Sequence, residues 1–181
     1  MANTGIHAAD MRYLVTKVLE GLAIGAKRKG MASKDAIELV LRTIYAEGLI
    51  GNNFHLRQKT NSGIGVARGI AQIEPWVARS VINDYLDYRP SLKEDIEGIC
   101  LCDLSMIDDD TPQEKALMDL QLQGNNLLNI AIVRMKYRPV PRPIPPASDL
   151  KGHAQYWVDY YNAGGKGTVG KFLRAIKRIE K

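Results

Sequence analysis

The stretch Ala67-Arg68-Gly69-Ile70-Ala71-Gln72-Ile73-Glu74-Pro75 decides how this chain is read. Gly69 permits a close backbone approach. Gln72 carries both a donor and an acceptor, which suits amide and hydroxyl groups on a ligand. Pro75 is well placed as the first residue of a helix. Glu74 is either a second chemically active carboxylate or an acidic residue favoured at that helix's N-terminus, and the structural role is preferred.

Upstream, residues 48–69 mix Gly, Asn and Ser without a clear period and read as a loop with room for a short hairpin. Before it, Ser33 caps a helix whose apolar face carries Ile37, Val40, Leu41, Ile44 and Tyr45. That helix runs to Glu47 and stops at Gly48, read as a left-handed C-cap. An earlier helix, His7 to Gly25, places Met11, Leu14, Val15, Val18, Leu19 and Leu22 on one face, and the basic break Lys27-Arg28-Lys29-Gly30 follows it.

Downstream, Pro75 opens a helix that Pro90 ends, and a short helix spans Ser91 to Cys102. Asp108-Asp109-Asp110 reads as an acidic linker. Thr111-Pro112-Gln113-Glu114 is a capping box with Pro at the first helical position. The helical stretch beyond it runs to Tyr137, with a break at Gly124-Asn125-Asn126. Five prolines between Pro139 and Pro146 force an extended connection. Ser148-Asp149 caps a helix to Tyr161, and Thr168 caps the last one. Val169, Phe172, Leu173, Ile176 and Ile179 form the apolar side of that last helix, and Lys171, Arg174, Lys177 and Arg178 its basic side. The expected fold is mainly α, one domain over 1–181. Residues 1–30 are its N-terminal helix and basic break, and 139–147 a Pro-rich connection within it.

With 181 residues the chain can bury a real core. Its formal charge of +5 suits an anionic partner, a wall polymer or a nucleic acid, without choosing between them. Cys100 and Cys102 are too close to staple a fold and read as reduced thiols, which suits folding in a cytosol. His7, His55 and His153 have no metal-ligand spacing. No apolar signal core follows Met1 and no run is long enough to span a membrane.

Two more pieces complete the pattern. Glu47 lies at a helix C-terminus, where negative partial charge disfavours a carboxylate, and burial beside Tyr45, Leu49 or Ile50 pushes the same way. Far downstream stands Trp157-Val158-Asp159-Tyr160-Tyr161-Asn162-Ala163-Gly164-Gly165-Lys166-Gly167-Thr168. Its Gly-rich turn lacks phosphate-loop spacing.

In this order the pieces resemble the lysozyme-like lytic transglycosylases, whose cleft segment reads Gly-Leu-Met-Gln-Ile-x-Pro and whose later motif is Tyr-Asn-Ala-Gly. They resemble more closely the muramidase-like proteins of bacteriophage particles. The matches there are Arg57-Gln58, Ala67-Arg68-Gly69, Gln72-Ile73-Glu74-Pro75 and the Tyr-Tyr-Asn and Gly-Lys-Gly-Thr runs. One departure is that Gly48 stands where the family usually has Ser. The gap from Gln72 to Tyr161 is also long and implies added helices.

The resemblance implies a lysozyme-like domain with a short β-hairpin near its cleft. Glu47 is then the catalytic acid, assisted in a hydrolase by Glu74. Gln58, Gln72, Tyr161 and Asn162 bind substrate, with Tyr161 hydrogen-bonding near Glu47. The implied activity is cleavage of peptidoglycan between N-acetylmuramic acid and N-acetylglucosamine, foremost as a lytic transglycosylase with a single catalytic Glu. The resemblance implies no metal and no organic cofactor. Its partners are glycan strands and other virion proteins. Such a protein is made in the host cytoplasm, carried in the particle and used on the cell wall. The rival expectation is a catalytically inactive structural virion protein of tail, baseplate or ejection apparatus. A helical nucleic-acid module, prompted by the basic last helix, ranks third.

Overall fold

A computed structural model describes residues 8–24, 28–50, 53–107 and 111–179. Helix accounts for 64% and strand for 8%, so the strands form an appendage to a helical body and not a layer of it. The helices are α1 (Ala8–Ile24), α2 (Lys34–Gly48), α3 (Pro75–Ser80), α4 (Pro90–Cys100), α5 (Pro112–Gly124), α6 (Asn126–Tyr137), α7 (Leu150–Tyr156) and α8 (Val169–Lys177). Two of them continue into wider π-helical turns, α3 through Val81–Leu86 and α7 through Trp157–Tyr161. Short antiparallel pairs join α2 to α3. Strand β1 (Leu49–Ile50) pairs with β2 (Asn53–Phe54), and β3 (Arg57–Thr60) with β4 (Gly63–Arg68).

Local chemistry sets most helix starts. The side chains of Ser33, Asn125, Asp149 and Thr168 each accept from an amide in the first turn of the helix they precede. Thr111 and Glu114 close a reciprocal capping box, and Pro75, Pro90 and Pro112 occupy first-turn positions that have no amide to lose. Pro90 therefore opens α4 and does not end the preceding helix, which has already finished by Asp87. The break at Gly124-Asn125-Asn126 is real, with Asn125 as the N-cap of α6.

Helix α6 is the central post. Leu128, Ile130, Ala131, Ile132, Val133 and Met135 are buried around nearly its whole circumference, as expected of a helix enclosed by others. Around it pack the apolar face of α1 (Met11, Val15, Val18, Leu19, Leu22), α2, α4 and α5. Helix α8 buries Phe172 and Ile176 against α2 and α7, and its Lys171, Arg174, Lys177 and Arg178 side stays exposed. The expected ends of the first helix at His7 and Gly25, Lys27 of the basic break, and the acidic run 108–110 lie outside the described residues. No described helix is long and apolar enough to cross a membrane.

Gly48 is not a left-handed cap. It is the last residue of α2, and Leu49, in extended conformation, is the C-cap. What requires glycine there is contact: a Cβ on Gly48 would sit 1.8 Å from the carbonyl oxygen of Ile70. The residue that the resembled family places as Ser has no room in this chain. Gly48→Ser should destabilise the protein by roughly 2–4 kcal/mol through forced separation of α2 from the 68–73 turn. Urea denaturation checks this, and an unchanged midpoint would show that the turn can yield.

Candidate functional site

The turn from Arg68 to Ile73 is closed by two backbone hydrogen bonds, Arg68 N–H to Ile73 O (2.9 Å) and Ile73 N–H to Arg68 O (2.8 Å). Gly69 adopts φ +72°, and a Cβ there would strike Asn129 Oδ1 and the Leu122 carbonyl oxygen, both at 2.2 Å. The turn is thus pressed against α2 on one side and against α5 and α6 on the other. Arg68 ties it down further, with Nε 3.0 Å from Asp119 Oδ2 on α5. The Ala-Arg-Gly piece of the sequence pattern is scaffold.

Glu47, in the last turn of α2, lies against the outer face of this turn. It lines an open cleft of about 180 Å³ together with Gln58, Gln72, Glu74, Tyr161 and Asn162. The six candidate catalytic and substrate-binding residues therefore meet in one place, although they come from α2, β3, the 68–73 turn, the start of α3 and the end of the last π-helical turn.

Their individual roles differ from expectation in several respects. Tyr161 does not donate to Glu47. Its hydroxyl donates to the carbonyl of Ala71 at 3.0 Å, and its ring packs on Tyr137 with centroids 5.7 Å apart. It is a buried post that fixes the turn. Gln72 takes φ +49° and its amide donates to His55 O and Gly69 O, both at 2.8 Å. That leaves its carbonyl oxygen for a ligand. Gln58 Oε1 accepts a long bond of 3.5 Å from Ala67 N–H across the β3–β4 pair. Tyr45 stacks on Phe54 with centroids 6.1 Å apart, and neither it nor Leu49 lines the cleft. The side chain of Ile50 lies outside the described residues.

Glu47 Oε1 accepts from Trp157 Nε1–H at 2.9 Å and from Asn162 Nδ2–H at 3.4 Å. Asn162 is held in that orientation because its Oδ1 accepts from Gly167 N–H at 2.7 Å. The Gly-Lys-Gly-Thr run thereby acquires a purpose: it aims Asn162 at the carboxyl. Trp157 is braced by Phe172 of α8, ring centroids 5.4 Å apart. Oε2 receives no hydrogen bond from the described residues, so both donors converge on one oxygen and the other is left for a ligand.

Burial raises the Glu47 pKa from 4.5 to about 7. The Trp157 and Asn162 hydrogen bonds and the charge of Lys136 oppose that rise, and the charge of Glu74 adds to it. A carboxyl tuned this way is about half protonated near neutral pH, as an acid–base group needs to be. Glu74 occupies the N-cap position of α3 without making a side-chain cap bond, so its carboxylate shares the cleft with Glu47.

Sequence reading missed three contributors. Trp157 was visible only as part of a motif. Trp76 is 64% exposed at the cleft edge, where an indole face can stack on a flat ligand surface. Lys136 is, with Arg134, one of two cations in the last turn of α6. Its Nζ donates to Tyr161 O at 2.5 Å and sits 4.2 Å from the Tyr161 ring centroid. A lysine directly after the buried run 128–135 and before buried Tyr137 was the available signal. The described residues contain no cluster of three His, Cys, Asp or Glu that could hold a metal. Comparison of the chain with protein-family models, curated proteins and solved structures gave no match.

The raised Glu47 pKa has a thermodynamic signature. The folded protein binds this proton more tightly than the unfolded chain does. Stability is thus unaffected by Glu47 below pH 4.5 and falls as pH rises to and past about 7, by an amount on the order of 3 kcal/mol. Glu47→Gln should abolish that fall. Lys136→Met should carry the window to higher pH and Glu74→Gln should draw it lower. Urea denaturation as a function of pH tests all three; equal slopes for wild type and Glu47→Gln would contradict the assignment.

Proposed function

We propose that this protein is a lysozyme-like, peptidoglycan-cleaving component of a bacteriophage particle that breaks the bond between N-acetylmuramic acid and N-acetylglucosamine, acting as a lytic transglycosylase. The observation that carries the reading is Glu47: a partly buried carboxyl with a pKa of about 7, one oxygen fixed by two donors and the other unclaimed, in an open cleft. Motif pieces resembling that family converge on the same cleft. The Gly48 departure does not weigh against activity, because the Ile70 carbonyl accounts for it sterically.

In this mechanism protonated Glu47 delivers its proton to the glycosidic oxygen as the bond from that oxygen to the muramic C1 breaks. The positive charge that develops at C1 is countered by the Glu47 carboxylate as it forms and by Glu74, which lines the same cleft. Glu47, now ionised, takes the proton of the muramic C6 hydroxyl, and that oxygen bonds to C1 to give a 1,6-anhydro ring. The nucleophile belongs to the same sugar, so its proximity replaces a bound water. Trp76 offers a stacking face, and the Gln72 carbonyl an acceptor for an amide or hydroxyl proton. In the hydrolytic variant, water is the nucleophile and Glu74 the group that positions it.

Digestion of purified peptidoglycan, with mass spectrometry of the soluble fragments, tests the reading. The expected products are anhydro-muropeptides, with Glu47→Gln slower by a factor on the order of 10² or more and the wild-type rate falling above pH 7 as Glu47 loses its proton. Reducing-end products would assign hydrolysis and promote Glu74. No release by folded wild type would leave a structural role in the virion.

A further inference from the structure

On a different part of the molecule, the Pro-rich connection is bolted down at three points. The Tyr156 hydroxyl donates to Arg142 O at 3.0 Å, His153 Nε2 lies 2.9 Å from Pro145 O, and Asp35 Oδ1 accepts from Ala147 N–H at 2.7 Å. Pinned this way, the segment places Arg142 at the rim of a cavity of about 330 Å³ whose wall also holds Arg134 and Arg138 of the α6 C-terminus. Among the described residues none of these three arginines has a carboxylate within ion-pair distance. Arg134 is buried and donates through Nε to Met31 O (3.1 Å) and through Nη2 to Gly30 O (2.9 Å), so its partners are neutral. Arg138 Nε is buried without any hydrogen-bond partner. The acid on the wall, Asp35, has one oxygen committed to the Ala147 amide. The N-terminus of α2 opens beside Ser33 and adds positive partial charge.

Three guanidinium groups and a single carboxylate line one cavity. Burial and the neighbouring Arg138 charge push the Arg134 pKa down to about 10. Like charges held together at a buried site are stabilised by a counter-charge, and guanidinium forks match tetrahedral oxyanions.

We propose that the cavity between the α6 C-terminus, the α2 N-terminus and the Pro-rich strap is a binding site for a phosphate-class oxyanion, with Arg138 and Arg142 as its forks and Arg134 as the buried charge behind them. The site is independent of the cleft around Glu47 and does not rest on the proposed activity. The ligand is either free inorganic phosphate or a phosphate carried in a phosphodiester polymer.

Isothermal titration calorimetry on the full chain, at constant ionic strength in chloride buffer, tests it with inorganic phosphate and with a glycerol-phosphate dimer as probes. The expected result is one saturable site, weakened at least tenfold in Arg142→Gln and in Arg138→Gln and unchanged in Arg174→Gln on α8. Arg142 is exposed, so its variant keeps the fold, and circular dichroism verifies this. Tighter binding of the dimer assigns a polymer-borne phosphate, and tighter binding of the ion assigns free phosphate. Absence of saturable binding to wild type, or equal affinity in folded Arg142→Gln, overturns the proposal.

Discussion

The contact on which the site depends is the approach of the Ile70 carbonyl to Gly48. It brings the end of α2 so close to the 68–73 turn that a Cβ on Gly48 would sit 1.8 Å from the Ile70 carbonyl oxygen, closer than any side chain allows. On the turn's other side Gly69 meets Asn129 and the Leu122 carbonyl. Buried Asn129 repays its desolvation by donating to Leu122 O at 2.7 Å and Asn125 O at 3.1 Å. The turn is thus wedged between α2 on one side and α5 and α6 on the other, and the Tyr161 hydroxyl donates to Ala71 O from a third direction. Glu47, one residue before Gly48, inherits its position from that wedge.

The carboxyl's electrostatics follow from the same packing. Burial is the dominant influence on Glu47 and favours its neutral form, while Trp157, Asn162 and Lys136 partly restore the charged one. Without those donors a carboxyl so enclosed would hold its proton well past neutrality. Without the enclosure it would be an ordinary solvated glutamate. A group that gives and then retrieves a proton needs the balance between the two. The balance is set by α8 bracing Trp157, by the Gly-Lys-Gly-Thr turn aiming Asn162, and by Tyr161 cradling Lys136.

Features governed by neighbours in sequence were legible from the residues alone. The caps at Ser33, Thr111 and Thr168, proline at the start of α3 and the break before Asn126 all depend on chemistry within four residues. The gathering of Glu47, Gln58, Gln72, Glu74, Tyr161 and Asn162 was legible only as an ordered pattern. What stayed hidden depends on distant partners. Gly48 reads as a cap unless Ile70 is known to lie over it. Tyr161 reads as a partner of Glu47 unless Ala71 O is known to be nearer. Gln72 reads as a two-way ligand group until its donors are seen to be used on backbone. Lys136 had no local motif at all, because its importance comes from the ring and carbonyl of a residue 25 positions away. Pro90 reads as the end of one helix and in fact opens the next, because proline both ends and begins helices and sequence does not say which helix owns it.

A role for Glu47 as the acid requires that it hold a proton near neutral pH. The direct measurement is the titration of its side-chain carboxyl by ¹³C NMR, assigned by the signal lost in Glu47→Gln. The structure predicts a midpoint near 7. A midpoint near 4.5, the value of an unperturbed glutamate, would mean that water reaches the carboxyl freely and would remove the physical basis for treating Glu47 as the acid.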